Sequence, residues 1–184
     1  MASVLVPLAQ GCEELEAVTI IDLLRRAGVA VTSAGLDEQM VVVASRGTRL
    51  LPDTSLEKAL AQDFDMIVLP GGLPGADHLN EDIRIQKLLQ KMASQGKFIA
   101  AICAAPKVLA SAGLLDNKRA TAYPGVLDSL KLTGTIITAA AIEQDGQVIT
   151  SRGPGTAMDF ALTLIELLVG SEMRLQVEKG LVRF

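Results

Sequence analysis

The chain opens with two apolar runs separated by a stretch of helical periodicity. SVLVPLA and VAVTSAG show no regular alternation of polar and apolar residues, which is typical of strands buried on both faces. Between them, ELEAVTIIDLLRRAG repeats apolar residues at the spacing of an amphipathic helix and ends at Gly28. This pattern predicts a strand, a helix and a second strand in succession.

The same alternation continues along the rest of the chain. Strands are predicted in DMIVLPGG, FIAAI and QVITS, and helices in SLEKALA, DIRIQKLLQKMASQG and GTAMDFALTLIELLVG. VVVASRGTRLL has the pattern of a small hairpin around Gly47, whereas residues 120–141 give no clear assignment. Buried strands alternating with helices predict an α/β fold. We expect one doubly wound domain over residues 1–184, with a mostly parallel sheet covered by helices on both faces.

Composition narrows the classes of function. The 184 residues carry a net charge of -4 and only 3% aromatic side chains, so neither a basic surface for phosphates nor a stacking surface for bases is expected. With two cysteines and one histidine, a structural zinc site is not expected, and neither is a cofactor. The pattern contains no membrane-spanning stretch and no secretory leader, so we expect a cytoplasmic protein that does not bind membranes.

Cys103 follows the predicted strand FIAAI and stands just before a predicted helix. Unpaired amides and the positive end of the helix dipole favour a thiolate there, so we expect its pKa below the ordinary value of about 8.5. The surrounding Ala100, Ala101, Ala104 and Ala105 suit a sharp turn like the nucleophile elbow, with alanines where that motif has glycines. The alternative is a buried cysteine that serves only as a small hydrophobic residue.

Two other loops are expected at the same edge of the sheet, where doubly wound proteins bind ligands. In AQGCEELE, Glu16 lies among apolar residues that would raise its pKa and let it exchange a proton with Cys103. The other glutamates of that loop fit an ordinary role at a helix start. In PGGLPGA, the amides of Gly71 and Gly72 are candidate donors to an anion, or else the pair simply forms a tight turn.

The segments VLVPLAQGCEELEAV, VLPGGLPGA, AAICAAP and TSRGPGT occur in the order and spacing of the ThiJ/PfpI superfamily. Within it, the chain resembles the branch of the parkinsonism-associated deglycase, and the similarity covers nearly the whole length. The resemblance implies a flavodoxin-like fold and a homodimer.

The resemblance also implies roles for particular residues. Cys103 matches the elbow cysteine, Glu16 matches a protonated glutamate beside its sulfur, and the amides of Gly72 and Ala104 match an oxyanion hole. Arg46 resembles an arginine that lines the site across the dimer. An exposed hairpin arginine is an equally good interpretation of Arg46.

Several positions depart from the family pattern or fit no role in it. The animal branch has a histidine near the cysteine where this chain has Tyr123, which we therefore place in the lining of the site. His78, the one histidine, is expected to be a solvated loop residue, with a catalytic role as the alternative. Ala104 stands where protease-like members have a histidine, so peptidase activity is not expected. Cys12 is either a small loop residue or a resolving thiol for an oxidised Cys103.

The resemblance implies two kinds of function. The first is a cofactor-independent glyoxalase or deglycase acting on methylglyoxal or its adducts. In it, Cys103 adds to the aldehyde, Glu16 relays a proton, and hydrolysis of the thioester gives lactate. The alternative is a non-enzymatic redox sensor or chaperone in which stress oxidises Cys103 to a sulfinate. Because both functions use the same two residues, the sequence does not decide between them.

Overall fold

The computed structural model describes residues 1–37 and 41–183. Its strands are β1 (Ser3–Leu8), β2 (Ala30–Gly35), β3 (Val42–Val43), β4 (Arg49–Leu50), β5 (Thr54–Ser55), β6 (Met66–Leu69), β7 (Phe98–Ile102), β8 (Arg119–Ala120), β9 (Ile136–Ile137), β10 (Ile142–Asp145) and β11 (Val148–Ser151). The central seven-stranded sheet has the order β10-β11-β7-β6-β1-β2-β5, and only β10 runs antiparallel to its neighbour. The run β2-β1-β6-β7-β11 is the strand order of flavodoxin-like proteins, which confirms the predicted fold class.

Helices cover both faces of this sheet. They are α1 (Glu14–Arg26), α2 (Leu56–Ala59), α3 (Gly75–Glu81), α4 (Ile83–Ser94), α5 (Pro106–Ser111), α6 (Ala157–Val169) and α7 (Ser171–Gly180). The core under α1, α6 and α7 takes Val4 and Val6 from β1, whereas the core under α2 to α5 takes Leu5. Because successive side chains of a strand point to opposite faces, burial on both sides explains why residues 4–8 of β1 are all apolar.

Some elements differ from the sequence prediction. LPGADHL, expected as a loop, leads into the helix α3, and β10 pairs with β11 as an antiparallel hairpin. Part of the unassigned region forms the parallel pair of β8 and β9. The helix α7 was also not predicted, because Val177 is its one buried residue and its apolar stripe is correspondingly weak. The predicted hairpin is confirmed as the antiparallel pair of β3 and β4.

The three candidate loops meet at the carboxyl edge of the sheet, as the fold requires. The amide of Glu13 donates to the carbonyl of Gly71 at 2.9 Å, which joins the loop after β1 to the loop after β6. The amide of Cys103 donates to the carbonyl of Ser151 at 2.9 Å, which joins the turn after β7 to the end of β11.

Among the residues described, no helix has the length and apolar content needed to cross a bilayer.

Candidate active site

Cys103 occupies a strained turn directly after β7. Its φ of 62° lies in the left-handed region, which costs a residue with a side chain roughly 1–3 kcal/mol. Hydrogen bonds on both sides hold this conformation: its amide donates to Ser151, and its carbonyl accepts from the amide of Tyr123 at 2.8 Å. The turn therefore has the backbone of a nucleophile elbow, although its sequence lacks the usual glycines.

Gly71 makes the close approach to this elbow. A Cβ atom at Gly71 would lie 2.7 Å from the Cβ of Cys103 and 2.9 Å from the amide nitrogen of Ala104. These distances are below normal van der Waals contact, so the backbone of the loop after β6 lies against the elbow only because residue 71 has no side chain. The contacts around Gly71 thus explain the glycine by packing as well as by its amide.

Glu16 lies in the first turn of α1 and is completely buried. Its Oε2 accepts a hydrogen bond of 2.8 Å from the amide of Gly71, while Oε1 has no hydrogen bond of ordinary geometry with the described residues. Since the carboxyl also interacts with the Cys103 thiol, Oε1 is the oxygen available to the sulfur. Burial raises the pKa of Glu16 from 4.5 to about 7, against the opposing effects of Gly71 and Cys103. A carboxyl with this pKa exchanges protons readily at neutral pH.

The structure contradicts the expected acidity of Cys103. The residue is only 8% exposed. Burial is the main cause that raises the pKa of the thiol to about 12, followed by the charge of Glu16 and its hydrogen bond. The amides of Gly72 and Ala104 act in the opposite direction and lower this pKa. The helix α5 begins only at Pro106 and has 6 residues, so its dipole is too weak and too distant to outweigh burial. The predicted low pKa is wrong, and Glu16 is left as the group able to take the thiol proton.

Two backbone amides act on the sulfur of Cys103. They belong to Gly72 and Ala104, and both favour negative charge at that atom. Gly72 has φ 87°, and a side chain there would overlap the backbone of Glu13, so the loop geometry requires glycine. An oxyanion formed on a carbon attached to the sulfur would lie close to the same donors. The elbow thus brings together a thiol, a carboxyl group of raised pKa and two amide donors.

Other candidate residues lie in different surroundings. Cys12 is completely buried, and burial raises its pKa to about 12, so as a thiol it is a poor nucleophile. His78 is not a loop residue: it lies on α3, and its Nδ1 is 3.0 Å from the carbonyl oxygen of Gln10. Within residues 1–37 and 41–183, no three His, Cys, Asp or Glu side chains converge as metal ligands would.

Arg46 and Tyr123 differ in their relation to the elbow. The guanidinium of Arg46 is exposed on the hairpin and contacts the carbonyl of Ser45, while its backbone amide donates to Glu14 at 3.0 Å. Tyr123 is tied to the elbow through its amide, and its ring lies 3.4 Å from the position a Cβ would take on Gly153. Tyr123 therefore borders the site, whereas Arg46 has no such tie among the residues that the structure describes.

One neighbour of the elbow was not singled out from the sequence. Arg152 directly follows β11, whose last residue, Ser151, accepts the amide of Cys103. In TSRGPGT, Arg152 comes directly after a predicted buried strand. This position predicts a place at the carboxyl edge of the sheet, so the sequence did contain a signal for Arg152.

The fold and this site define a class of flavodoxin-like α/β proteins built around an elbow cysteine. The family model described as the DJ-1/PfpI family matches residues 2–167. The chain belongs to this family.

Relatives of the chain agree with this assignment. It is 46% identical over 180 residues to Protein dj-1beta of Drosophila melanogaster, covering 98% of this chain and 96% of the relative. The crystal structure of Drosophila melanogaster DJ-1beta superposes with a TM-score of 0.93 at 45% identity, covering 98% of this chain and 97% of the other. The structure described as oxidized Toxoplasma gondii DJ-1 superposes with a TM-score of 0.94 at 37% identity, covering 99% of this chain and 98% of the other. The glutathione-independent glyoxalase DJR-1.2 of Caenorhabditis elegans is 37% identical over 171 residues, covering 93% of this chain and 90% of the relative.

Proposed function

We propose that this protein is a cysteine-dependent glyoxalase that converts methylglyoxal to lactate and removes the same group from glycated adducts. The observation that carries the proposal is the buried pair of Glu16 and Cys103, in which a carboxyl of pKa about 7 adjoins a thiol in an elbow. A relative at 37% identity is named a glutathione-independent glyoxalase, which supports this class of reaction.

The reaction begins with the thiol of Cys103. As its sulfur attacks the aldehyde carbon of methylglyoxal, the ionised carboxyl of Glu16 takes the thiol proton. The aldehyde oxygen becomes an oxyanion that accepts hydrogen bonds from the amides of Gly72 and Ala104. It then takes the proton from Glu16 to give a hemithioacetal, which returns Glu16 to its carboxylate form. Because the pKa of Glu16 is about 7, its carboxylate is available at neutral pH without being too weak a base.

The second stage moves hydrogen within the adduct. Glu16 removes the proton from the carbon bound to sulfur, giving an enediol, and returns a proton to the neighbouring carbon. The product is the thioester of lactate on Cys103. Water then attacks the thioester carbonyl, the carbon–sulfur bond breaks, and the thiol is restored. The net reaction adds one water to methylglyoxal, so no oxidant or reductant is consumed. Deglycation follows the same course when the adduct of an amine or a thiol supplies the three-carbon group.

The decisive experiment is turnover of methylglyoxal by the purified protein, with chiral analysis of the lactate. Cys103→Ser should abolish turnover, while Cys12→Ser, which alters the other buried cysteine, is the matched control and should retain it. Glu16→Gln and Glu16→Leu should each lose roughly a hundredfold or more, the usual scale for removing a general acid or base. Racemic lactate from the wild type, or equal turnover in Cys103→Ser, would contradict the proposal.

A second candidate is a redox sensor or chaperone that works through oxidation of Cys103 to a sulfinate. It is favoured by the two amides and the carboxyl that surround the sulfur, since these groups would also bind sulfinate oxygens. The relative from Toxoplasma gondii is described as oxidized, which fits this chemistry. In the sensor, Glu16→Gln should still form a stable sulfinate, seen as two added oxygens by intact mass after graded peroxide. Glu16→Leu should not form it.

We also propose that the protein acts as a homodimer in the cytoplasm. Both cysteines are free thiols, which suits a reducing compartment. Leu15 and Val18 lie three residues apart on α1 and are half exposed. The hairpin of β3 and β4, which is bound to the start of α1, also exposes Val43. A second copy covering this apolar surface would remove it from water.

A further inference from the structure

A small cavity lies beside the elbow and has no part in the mechanism above. Its volume is about 280 Å³, close to the lower limit for small-ligand sites. Its walls include Tyr123, Pro124, Leu127, Ile137, Thr138 and Arg152. The cavity therefore combines apolar surface with hydroxyl groups and one guanidinium.

Hydrogen bonds tie two of these walls to the reactive cysteine. Tyr123 donates its amide to the carbonyl of Cys103, and Ser151, which accepts the amide of Cys103, directly precedes Arg152. The amide of Arg152 in turn donates to the carbonyl of Ala141 at 3.1 Å, which holds its backbone in place. The cavity consequently keeps a fixed position relative to the elbow.

Arg152 is half-buried in this wall. No ion pair or hydrogen bond of its side chain is found among the residues described, whereas Arg119, another arginine of this region, pairs with Glu143 at 3.1 Å. The cavity also contains Asp128, an exposed carboxylate that accepts the amide of Gly125 at 3.0 Å. An arginine that is partly withdrawn from water without a partner offers a planar set of donors suited to a carboxylate.

We infer that Arg152 forms an anion subsite that favours α-oxoaldehydes carrying a carboxylate on the carbon chain beyond the ketone. The aldehyde carbon would react at Cys103 while the carboxylate pairs with Arg152, and the apolar walls would enclose the carbon chain between them. This inference rests on the proposed function, because it concerns the substrate of the same cysteine. Arg152 acts here as a specificity-determining residue and takes no part in proton transfer.

Two alkylating reagents test the subsite without requiring turnover. Iodoacetate and iodoacetamide have the same leaving group, but only iodoacetate is charged, so the ratio of their rates at Cys103 reports the local preference for anions. Arg152→Gln should lower this ratio by roughly threefold to fivefold at low salt, the scale of a partly exposed charge pair. Arg152→Lys should lower it less, and Asp128→Asn should raise it. Lys87→Gln, which makes the same change in net charge at an exposed position on α4, should leave it unchanged.

A matched pair of aldehydes tests the specificity itself. 4,5-Dioxopentanoate carries a terminal carboxylate, whereas 2-oxopentanal has the same chain length without charge. Arg152→Gln should lower kcat/KM for the dioxopentanoate through a higher KM and leave 2-oxopentanal unchanged. A rate ratio for the two alkylating reagents that is the same in Arg152→Gln and the wild type, or that falls equally in Lys87→Gln, would overturn the subsite. If that ratio falls as expected but neither aldehyde is turned over, the proposed function fails while the anion subsite stands.

Discussion

At the scale of single residues, the proposed reaction depends on one proton shared by Glu16 and Cys103. Burial raises the pKa of both groups, because neither charge is well solvated. Two negative charges cannot be accommodated side by side, so the pair keeps one proton over a wide range of pH. The sulfur therefore becomes reactive when Glu16 can accept its proton.

The alkylation of Cys103 should follow the titration of this pair. In the wild type the rate should rise with a midpoint near pH 7, because the pKa of Glu16 is about 7. Glutamine cannot accept the proton, and the buried thiol should then ionise only above its ordinary value of about 8.5. Glu16→Gln should therefore move the midpoint upward by more than one pH unit.

The measurement is the rate of iodoacetamide addition against pH, followed by intact mass in a Cys12→Ser background. A midpoint that is the same with and without the Glu16 carboxyl would show that the two groups do not share a proton.

At the scale of elements, the site is produced by loops that pack directly against one another. Gly71 brings the loop after β6 against the elbow after β7, and the same residue places its amide on Glu16 of α1. The loop after β6 thus contacts both Glu16 and Cys103. Its geometry depends on the absence of a side chain at a single position.

Gly71→Ala should disrupt this contact. The added Cβ would lie 2.7 Å from the Cβ of Cys103, so one of the two loops must move. We expect a loss of roughly 1–3 kcal/mol in unfolding free energy, as for other overpacked positions, together with more than a tenfold loss of turnover.

The measurements are denaturant unfolding and methylglyoxal kinetics. Gly180→Ala is the matched control, because a Cβ there meets nothing within 4 Å. It should leave turnover unchanged. Wild-type activity in Gly71→Ala would show that the close approach is not needed.

At the scale of the whole molecule, two properties follow from how the helices and loops are buried. The carboxyl of Glu16 adds a pH dependence to the stability of the entire fold. In the proposed dimer, the exposed apolar side chains of α1 and the neighbouring hairpin would be covered by a second copy.

Stability should fall as the pH rises through neutrality because of Glu16. Its pKa is about 7 in the folded protein and 4.5 ordinarily, so the folded state binds its proton more tightly than the unfolded state. This contribution is fully present below pH 4.5 and is lost as the pH rises through 7. The loss between pH 4.5 and pH 8 amounts to roughly 3 kcal/mol.

Glu16→Gln should remove this dependence, so that the variant gains stability relative to the wild type as the pH rises. Unfolding in urea at pH 5 and pH 8 measures the difference. Glu172→Gln, which replaces an exposed carboxyl of α7, is the control and should not change that difference. If the unfolding free energies of Glu16→Gln and the wild type changed equally with pH, the carboxyl of Glu16 would not have a raised pKa in the folded protein.

The proposed dimer predicts an effect of charge on α1. Leu15→Glu combined with Val18→Glu would place two charges on the surface that the second copy covers, and should give a monomer in sedimentation equilibrium at micromolar concentration. Leu175→Glu, at an exposed position of α7, should leave the dimer intact. A wild-type protein that sediments as a monomer would remove any role for Arg46 across an interface.

The sequence alone determined the central sheet, most of the helices and which loops lie at the carboxyl edge of the sheet. Short apolar runs without alternation are typical of strands buried on both faces. The carboxyl ends of parallel strands meet at one edge of the sheet, which brings the loops of Cys103, Glu16 and Gly72 together. These conclusions depend on local periodicity and on general rules of topology, so they require no coordinates.

Only the tertiary structure decided the acidity of the thiol and the surroundings of the site. The local argument from a helix start predicted a low pKa for Cys103, but burial and the neighbouring carboxyl of Glu16 come from segments distant in sequence and act in the opposite direction. The cavity at Arg152 likewise forms from segments that only the fold brings together. Desolvation and charge interactions depend on three-dimensional distance, which periodicity along the chain does not specify.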